Sequence, residues 1–229
     1  MKVTWLGQAG LLFEMNDICI MVDPYLSNTC GEMNPKSNRR VPVDTSYLQE
    51  SPDVIILTHD HLDHTDQQTL SHFLAKEKSV LVLASGRAWE NVRSFAGNHN
   101  YVRFVPNTEW TFKNVRFLAV KAVHSDPEAI GVILDDGVKK YYVTGDTLYN
   151  NDIFQAIPKD IHAVFLPVNG AGNNMNAADA ARFAERVNAT YSVPIHFGMF
   201  DDVDPGKFHI KNRVIPKIYQ VIPLEEKEN

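Results

Sequence analysis

The chain has 229 residues, of which 44% are hydrophobic, and its 22 Lys and Arg against 28 Asp and Glu give a net charge of -6. That suffices for one domain over residues 1–229 with a large apolar core, and it argues against nucleic acid as a partner, because such surfaces need clustered positive charge. Two cysteines, Cys19 and Cys30, with no apolar leader behind Met1 and no bilayer-length span, lead to the expectation of a cytoplasmic protein without membrane attachment, while composition sets no oligomeric state.

Residues 3–6, 11–15 and 18–22 are short apolar runs separated by Gly7-Gln8-Ala9-Gly10 and Asn16-Asp17, the pattern of a strand meander with tight turns. Cys19, between Ile18 and Ile20, reads as a core residue, and Cys30, in a polar loop, as either a reactive thiol or simply a small residue. The third strand ends in Val22-Asp23-Pro24. There Asp23 either caps a turn or accepts a hydrogen bond from a metal-bound imidazole, since such rings usually give their second nitrogen to a carboxylate or carbonyl. The stretch 26–43 carries Lys36, Arg39 and Arg40 and exceeds what a connector needs. Two readings stand: a cationic lid that recognises an anionic group of a substrate, or a solvated surface loop.

Residues 54–57, Val-Ile-Ile-Leu, form an uninterrupted β-branched run suited to a strand buried on both faces. Directly behind it come Thr58-His59-Asp60-His61-Leu62-Asp63-His64-Thr65-Asp66, and Thr65 and Asp66 offer caps for a helix over 67–76. His59 and His61 can converge from a strand-end loop while Asp63 and His64 turn toward a second point, an arrangement that asks for two divalent metal ions. Imidazole nitrogen and carboxylate oxygen suit zinc, manganese or iron, and left unpaired against a buried strand these groups would cost several kcal/mol in desolvation.

Further on, 79–84 reads as a strand and 87–96 as a helix. Residues 101–105, 108–112, 115–120, 129–134 and 139–143 return to strand-like alternation, with Asp135-Asp136-Gly137 as a hairpin turn. A short helix over 153–157, a strand over 163–166, a helix over 177–187 and a strand over 191–195 follow, before a charged tail over 225–229 expected to fray. Each half thus runs strands first and strand-helix units second, which predicts two sheets packed face to face with helices outside both. His124, Asp146 and His196 each follow an apolar strand, where polar residues converge on one sheet edge. His72, His99, His162 and His209 lack that placement and are assigned to surface or packing roles. The segment from Asn169 through Asn174 to Asn176 fits an anion-binding glycine loop, with Asn169 and Asn174 as substrate contacts, or an ordinary turn and N-cap.

The run His59-x-His61-x-Asp63-His64, with His124, Asp146 and His196 behind later strands, resembles the metallo-β-lactamase superfamily, whose fold is an αββα sandwich. More narrowly, Trp5-Leu6-Gly7, Thr58-His59-Asp60-His61, Thr144-Gly145-Asp146-Thr147 and Asn169-Gly170 through Asn174-Met175 are similar to the L-ascorbate-6-phosphate lactonase-like group. The resemblance implies that His59, His61 and His124 hold one ion, that Asp63, His64 and His196 hold the other, and that Asp146 bridges them. The chain departs from that lactonase in having a histidine at 124 in place of an acid and in being shorter. His61 also departs from the redox branch of the superfamily, where a glutamate is typical. Two divalent ions with Asp63, Asp146 and a hydroxide leave the centre with about one positive charge, which favours an anionic transition state, and bound water ionises near a pH of about 7. Asp63 orients the nucleophile. The implied function is hydrolysis of a small anionic lactone or ester, the alternatives being a phosphodiesterase or nuclease, or a non-catalytic metal- or metabolite-binding protein.

Overall fold

A computed structural model describes residues 1–15 and 17–225. Asn16 of the expected Asn16-Asp17 turn and residues 226–229 of the expected tail lie outside the described residues. Among the described residues, thirteen strands are arranged in two mixed sheets. In the first, β1 (Lys2–Gly7), β2 (Gly10–Met15) and β3 (Ile18–Val22) pair antiparallel. The parallel run of β4 (Val54–Leu57), β5 (Leu81–Ala84) and β6 (Asn100–Arg103) continues from β3. In the second, β7 (Glu109–Phe112), β8 (Val115–Lys121), β9 (Ile130–Asp135) and β10 (Lys140–Val143) form an antiparallel meander. Strands β11 (Ile161–Pro167) and β12 (Tyr191–Ile195) then add in parallel. The short β13 (Gln220–Val221) pairs antiparallel with β1.

The period-two geometry of a strand explains why β4 is apolar throughout. Val54 and Ile56 point into the core between the sheets, with Phe13, Phe117, Tyr141 and Phe165. Ile55 and Leu57 point the other way, onto Leu70, Phe73 and Leu74 of α2 (Gln67–Leu74) and Ala88 and Val92 of α3 (Gly86–Val92). Every one of these four strand residues is fully buried, worth about 1.5–3 kcal/mol each. On the far side, α4 (Ala177–Val187) lays Ala180, Phe183, Ala184 and Val187 against the second sheet. The outcome is the four-layer order expected from the sequence, helix, sheet, sheet, helix.

The differences are local. α2 stops at Leu74 and α3 at Val92, short of the expected 76 and 96, and the expected 153–157 helix is a 3-10 turn, Asn151–Gln155, capped by the Asn150 side chain. Cys19 is half-buried rather than sealed in the core. The 26–43 stretch is not irregular: it holds the one-turn helix α1 (Thr29–Met33) and a 3-10 turn, Pro35–Ser37. No helix among the described residues is long and apolar enough to cross a membrane.

Candidate metal centre

The loop behind β4 is held in a tight turn by its own backbone and by Thr65. His64 N and Thr65 N donate to His61 O at 3.0 and 2.7 Å, and Thr65 Oγ1 donates to His59 O at 2.8 Å. Asp66 ends the turn by capping α2 through Gln68 N and Thr69 N. The second sheet brings the remaining groups to the same edge: His124 beyond β8, Asp146 beyond β10 and His196 beyond β12. Gly145 permits the Asp146 turn. Its φ is +61°, and a Cβ there would lie 2.5 Å from the Ile130 carbonyl oxygen. Asp23 and His196 hold left-handed backbone too, at φ of 44° and 61°, conformations that cost non-glycine residues free energy and that cluster at functional sites.

The side chains assemble into three overlapping donor groups, His59-His61-His124, His59-His64-Asp146 and Asp63-His64-His196, in each of which the ligand atoms lie within 4.8 Å of one another. Asp146 lies between His64 and His196, with Oδ1 3.4 Å from His64 Nε2 and Oδ2 3.3 Å from His196 Nε2, and it is grouped with His59 in the second of these sets. The first and third groups have the same members as the two sets that the resemblance implies, and Asp146 falls in the second, with one histidine from each. His59 supplies the test of whether a metal fits. Its Nε2 is buried without any hydrogen-bond partner, a costly state for a ring nitrogen unless a cation takes the lone pair. Burial, then the neighbouring His64, holds the His59 imidazole well below its ordinary pKa, and burial likewise lowers that of His124, so both present neutral rings.

The other end is strongly anionic. Burial alone would lower the pKa of His64, but Asp146, Asp63 and Asp23 outweigh it and raise it well above the ordinary value; against the same opposing burial, Asp146 and Asp63 raise His196 to about 10. Asp63 and Asp146 are held well below the usual carboxylate range, His64 and His196 prevailing over the burial that opposes the shift. A field that retains protons on two buried imidazoles also favours a divalent cation, and metal binding there must displace those protons.

Partners behind the ligands set their orientation. Asp23, fully buried, accepts from His64 Nδ1 at 2.8 Å, from Thr58 N at 2.8 Å and from Thr58 Oγ1 at 2.5 Å. Of its two sequence readings, this is the imidazole-holding one. Asn174 donates to Asp146 Oδ2 at 2.8 Å while its own oxygen accepts from Thr147 N at 3.1 Å, so both its polar atoms are engaged within the protein. Asn169 Nδ2 lies 3.0 Å from His196 Nδ1. Gln8 was not singled out by sequence; the one signal available was a polar residue between glycines at the end of a strand on the same edge.

A cleft of about 390 Å³ opens over His61, Asp63, Asp146 and His196. Lys36, Cys30 and Asn169 are among the residues that line it; Arg39 and Arg40 are not. The Arg39 guanidinium is spent on the loop itself, donating to Tyr25 O at 2.9 Å, Val41 O at 3.1 Å and Tyr219 Oη at 2.9 Å. Arg40 pairs with Asp202 at the exposed surface. Of the three cations in the stretch, therefore, only Lys36 is brought to the cleft. His99 bonds Val80 N and Leu74 O, His162 bonds Leu224 O, and His72 and His209 are exposed, in keeping with surface and packing roles.

The sequence profile described as beta-lactamase superfamily domain matches residues 19–197. The chain belongs to the metallo-β-lactamase superfamily. Among curated relatives, a UPF0173 metal-dependent hydrolase of Geobacillus thermodenitrificans is 29% identical over 229 residues, covering 91% of each chain. Among solved structures of this superfamily fold, the metallo hydrolase Igni18 of Ignicoccus hospitalis superposes with a TM-score of 0.75 at 17% identity, covering 96% of both chains. The isothiocyanate hydrolase from Delia radicum gut bacteria does so with a TM-score of 0.74 at 18% identity, covering 96% of this chain and 98% of its own. As a member of the superfamily, the chain is a metal-dependent hydrolase.

Proposed function

We propose that the chain hydrolyses a small anionic lactone or ester at a centre of two divalent ions, one held by His59, His61 and His124, the other by Asp63, His64 and His196, with Asp146 between them. The observation that carries this reading is that Asp146 groups with His59 of one donor set and His64 of the other, while His59 Nε2 is buried without a hydrogen-bond partner. Zinc and manganese suit the nitrogen and oxygen donors, and iron is compatible with them. Bound there, such ions supply Lewis acidity and water that ionises near neutral pH.

The chain's own residues account for the rest. Asp63, held ionised, accepts a hydrogen bond from the attacking water and orients it. Asn174 and Thr147 keep Asp146 in place between the two donor groups. Lys36, at the cleft wall, offers an ammonium to a phosphate or carboxylate of the substrate. The similarity of Trp5-Leu6-Gly7 and Thr144-Gly145-Asp146-Thr147 to the lactonase-like group supports a lactone over other esters. A single cation in a cleft that also contains Asp201 argues against RNA, whose phosphates would need several.

The test is a panel of sugar lactones, phosphorylated lactones, cyclic phosphodiesters and short RNA, assayed with metal analysis of the same preparation. Turnover of anionic lactones with two ions per chain is expected. Lys36→Ala should raise KM about tenfold or more on an anionic substrate, leave kcat nearly unchanged and spare a neutral analogue, since a charge-assisted contact worth about 1.5–3 kcal/mol is lost. Turnover confined to phosphodiesters or RNA would overturn the substrate assignment.

A further inference from the structure

Gln8 sits in the turn between β1 and β2 with left-handed backbone at φ of 49°, and only 2% of its surface is exposed. Its backbone is pinned from two sides, because Gln8 O accepts from His196 N at 2.9 Å and from Trp5 Nε1 at 3.0 Å. Its side chain then has little freedom, and Nε2 donates to Asp63 Oδ2 at 2.8 Å. The same nitrogen lies 3.2 Å from His196 Nδ1 and 3.3 Å from His196 Nε2. The two ring lone pairs diverge in the plane of the imidazole, so an atom equidistant from both lies along neither. The bond to Asp63 is therefore the one well-directed hydrogen bond that the amide makes, and Gln8 Oε1 is buried without a partner. A buried amide that gives up half its hydrogen-bonding capacity to hold one carboxylate oxygen is not accounted for by packing alone.

Asp63 comes from the loop behind β4 in the first sheet and His196 from the end of β12 in the second. We propose that Gln8 is a positioning residue that ties these two together, through its side-chain N–H on Asp63 and its backbone oxygen on His196, and so preorganises the Asp63-His64-His196 donor group without acting on His59, His61 and His124. The assignment rests on the two-ion reading above. It makes a short turn of β1-β2 part of the metal centre, with selective control over one half of it.

The test uses the full chain stripped of metal and titrated with zinc alone against a chromophoric chelator. Gln8→Met keeps the length of the side chain and removes the amide, and Gln8→Glu keeps its shape but sets an acceptor against Asp63. One of the two uptake steps should weaken about tenfold or more in Gln8→Met and less in Gln8→Glu, which loses the N–H but adds negative charge beside the cation, with the other step unchanged in both, as expected when the partner of a ligand is lost. Thermal unfolding of the metal-free variants is measured alongside, because a merely structural role would weaken both steps together with stability. Equal weakening of both steps, or of neither, overturns the assignment. If the wild type takes up a single ion, the two-ion reading fails by itself; the Gln8 assignment then stands if Gln8→Met weakens the ion that Asp63→Asn also weakens, and falls if it does not. Should both Gln8 variants fail to fold, Asp63→Ala serves: the Gln8 side-chain amide resonances should shift and exchange faster with solvent, and unchanged resonances would overturn the proposal.

Discussion

Replacing Asp23 by asparagine should switch the tautomers of two imidazoles without removing either. Thr58 Oγ1 lies 2.5 Å from Asp23 Oδ2, so its proton is given to the carboxylate and its oxygen is left to accept from His59 Nδ1, 3.1 Å away. His64 Nδ1 gives its proton to the same Oδ2. One carboxylate thereby fixes a proton on Nδ1 of both rings and turns both Nε2 atoms toward the centre. In Asp23→Asn the amide oxygen still accepts from Thr58 N, but the NH2 group stands where Oδ2 accepted two protons. Thr58 Oγ1 must then accept, and give its own proton toward His59, while His64 Nδ1 must lose its proton. Both rings are left protonated on Nε2, the atom a metal needs. The expected loss is about 10- to 100-fold in metal affinity, about 1.4–2.7 kcal/mol, against a loss of fold stability of about 1–3 kcal/mol from weaker buried hydrogen bonds. Asp23→Ala, which strands three buried donors, should cost stability more steeply, upward of about 3 kcal/mol. Chelator competition at fixed pH reads the first quantity and urea unfolding of the metal-free chain the second. An Asp23→Asn protein with metal affinity within about twofold of the wild type would refute the tautomer argument.

Arg39→Ala should lower the stability of the fold by about 2 kcal/mol or more, because three hydrogen bonds and a stack on the Tyr25 ring at 5.1 Å are lost, and activity on anionic and neutral substrates should fall equally; a loss confined to the anionic substrate would return Arg39 to substrate recognition. The thiols give a pH signature. Burial raises Cys30 to about 11 and Cys19 to about 12 from an ordinary value of 9.0. Between these limits the folded chain keeps protons that the unfolded chain releases, so stability is fully present below pH of about 9 and falls as pH rises, by up to about 1.4 kcal/mol per pH unit for each thiol. Urea unfolding from pH 8 to 10.5 should show this slope in the wild type and a shallower one in Cys19→Ser/Cys30→Ser, and parallel slopes would contradict it.

Much of this architecture was legible because it depends on patterns within a few residues. The run Val54-Ile55-Ile56-Leu57 announces a strand with two buried faces whatever lies beyond it, and a histidine or aspartate directly behind an apolar strand must emerge at the strand's end. The ends of α2 and α3 were less legible, since helix termination is a balance of small terms that neighbouring packing decides.

What sequence order could not reveal is which side chains are consumed by partners far along the chain. Lys36, Arg39 and Arg40 are equivalent as letters in a polar stretch, yet Arg39 is taken by Tyr219, 180 residues away, and Arg40 by Asp202, 162 residues away, leaving Lys36 at the cleft. Asn169 and Asn174 line the cleft, and no local pattern foretells that their amides lie beside His196 and Asp146. Gln8 meets Asp63 across 55 residues and His196 across 188. Strand and ligand positions follow from local periodicity and covalent connection, which the chain carries in its order. The commitment of each polar side chain depends on a hydrogen bond a few ångströms long between segments brought together by the closure of two sheets, and that distance exists only once the chain has folded.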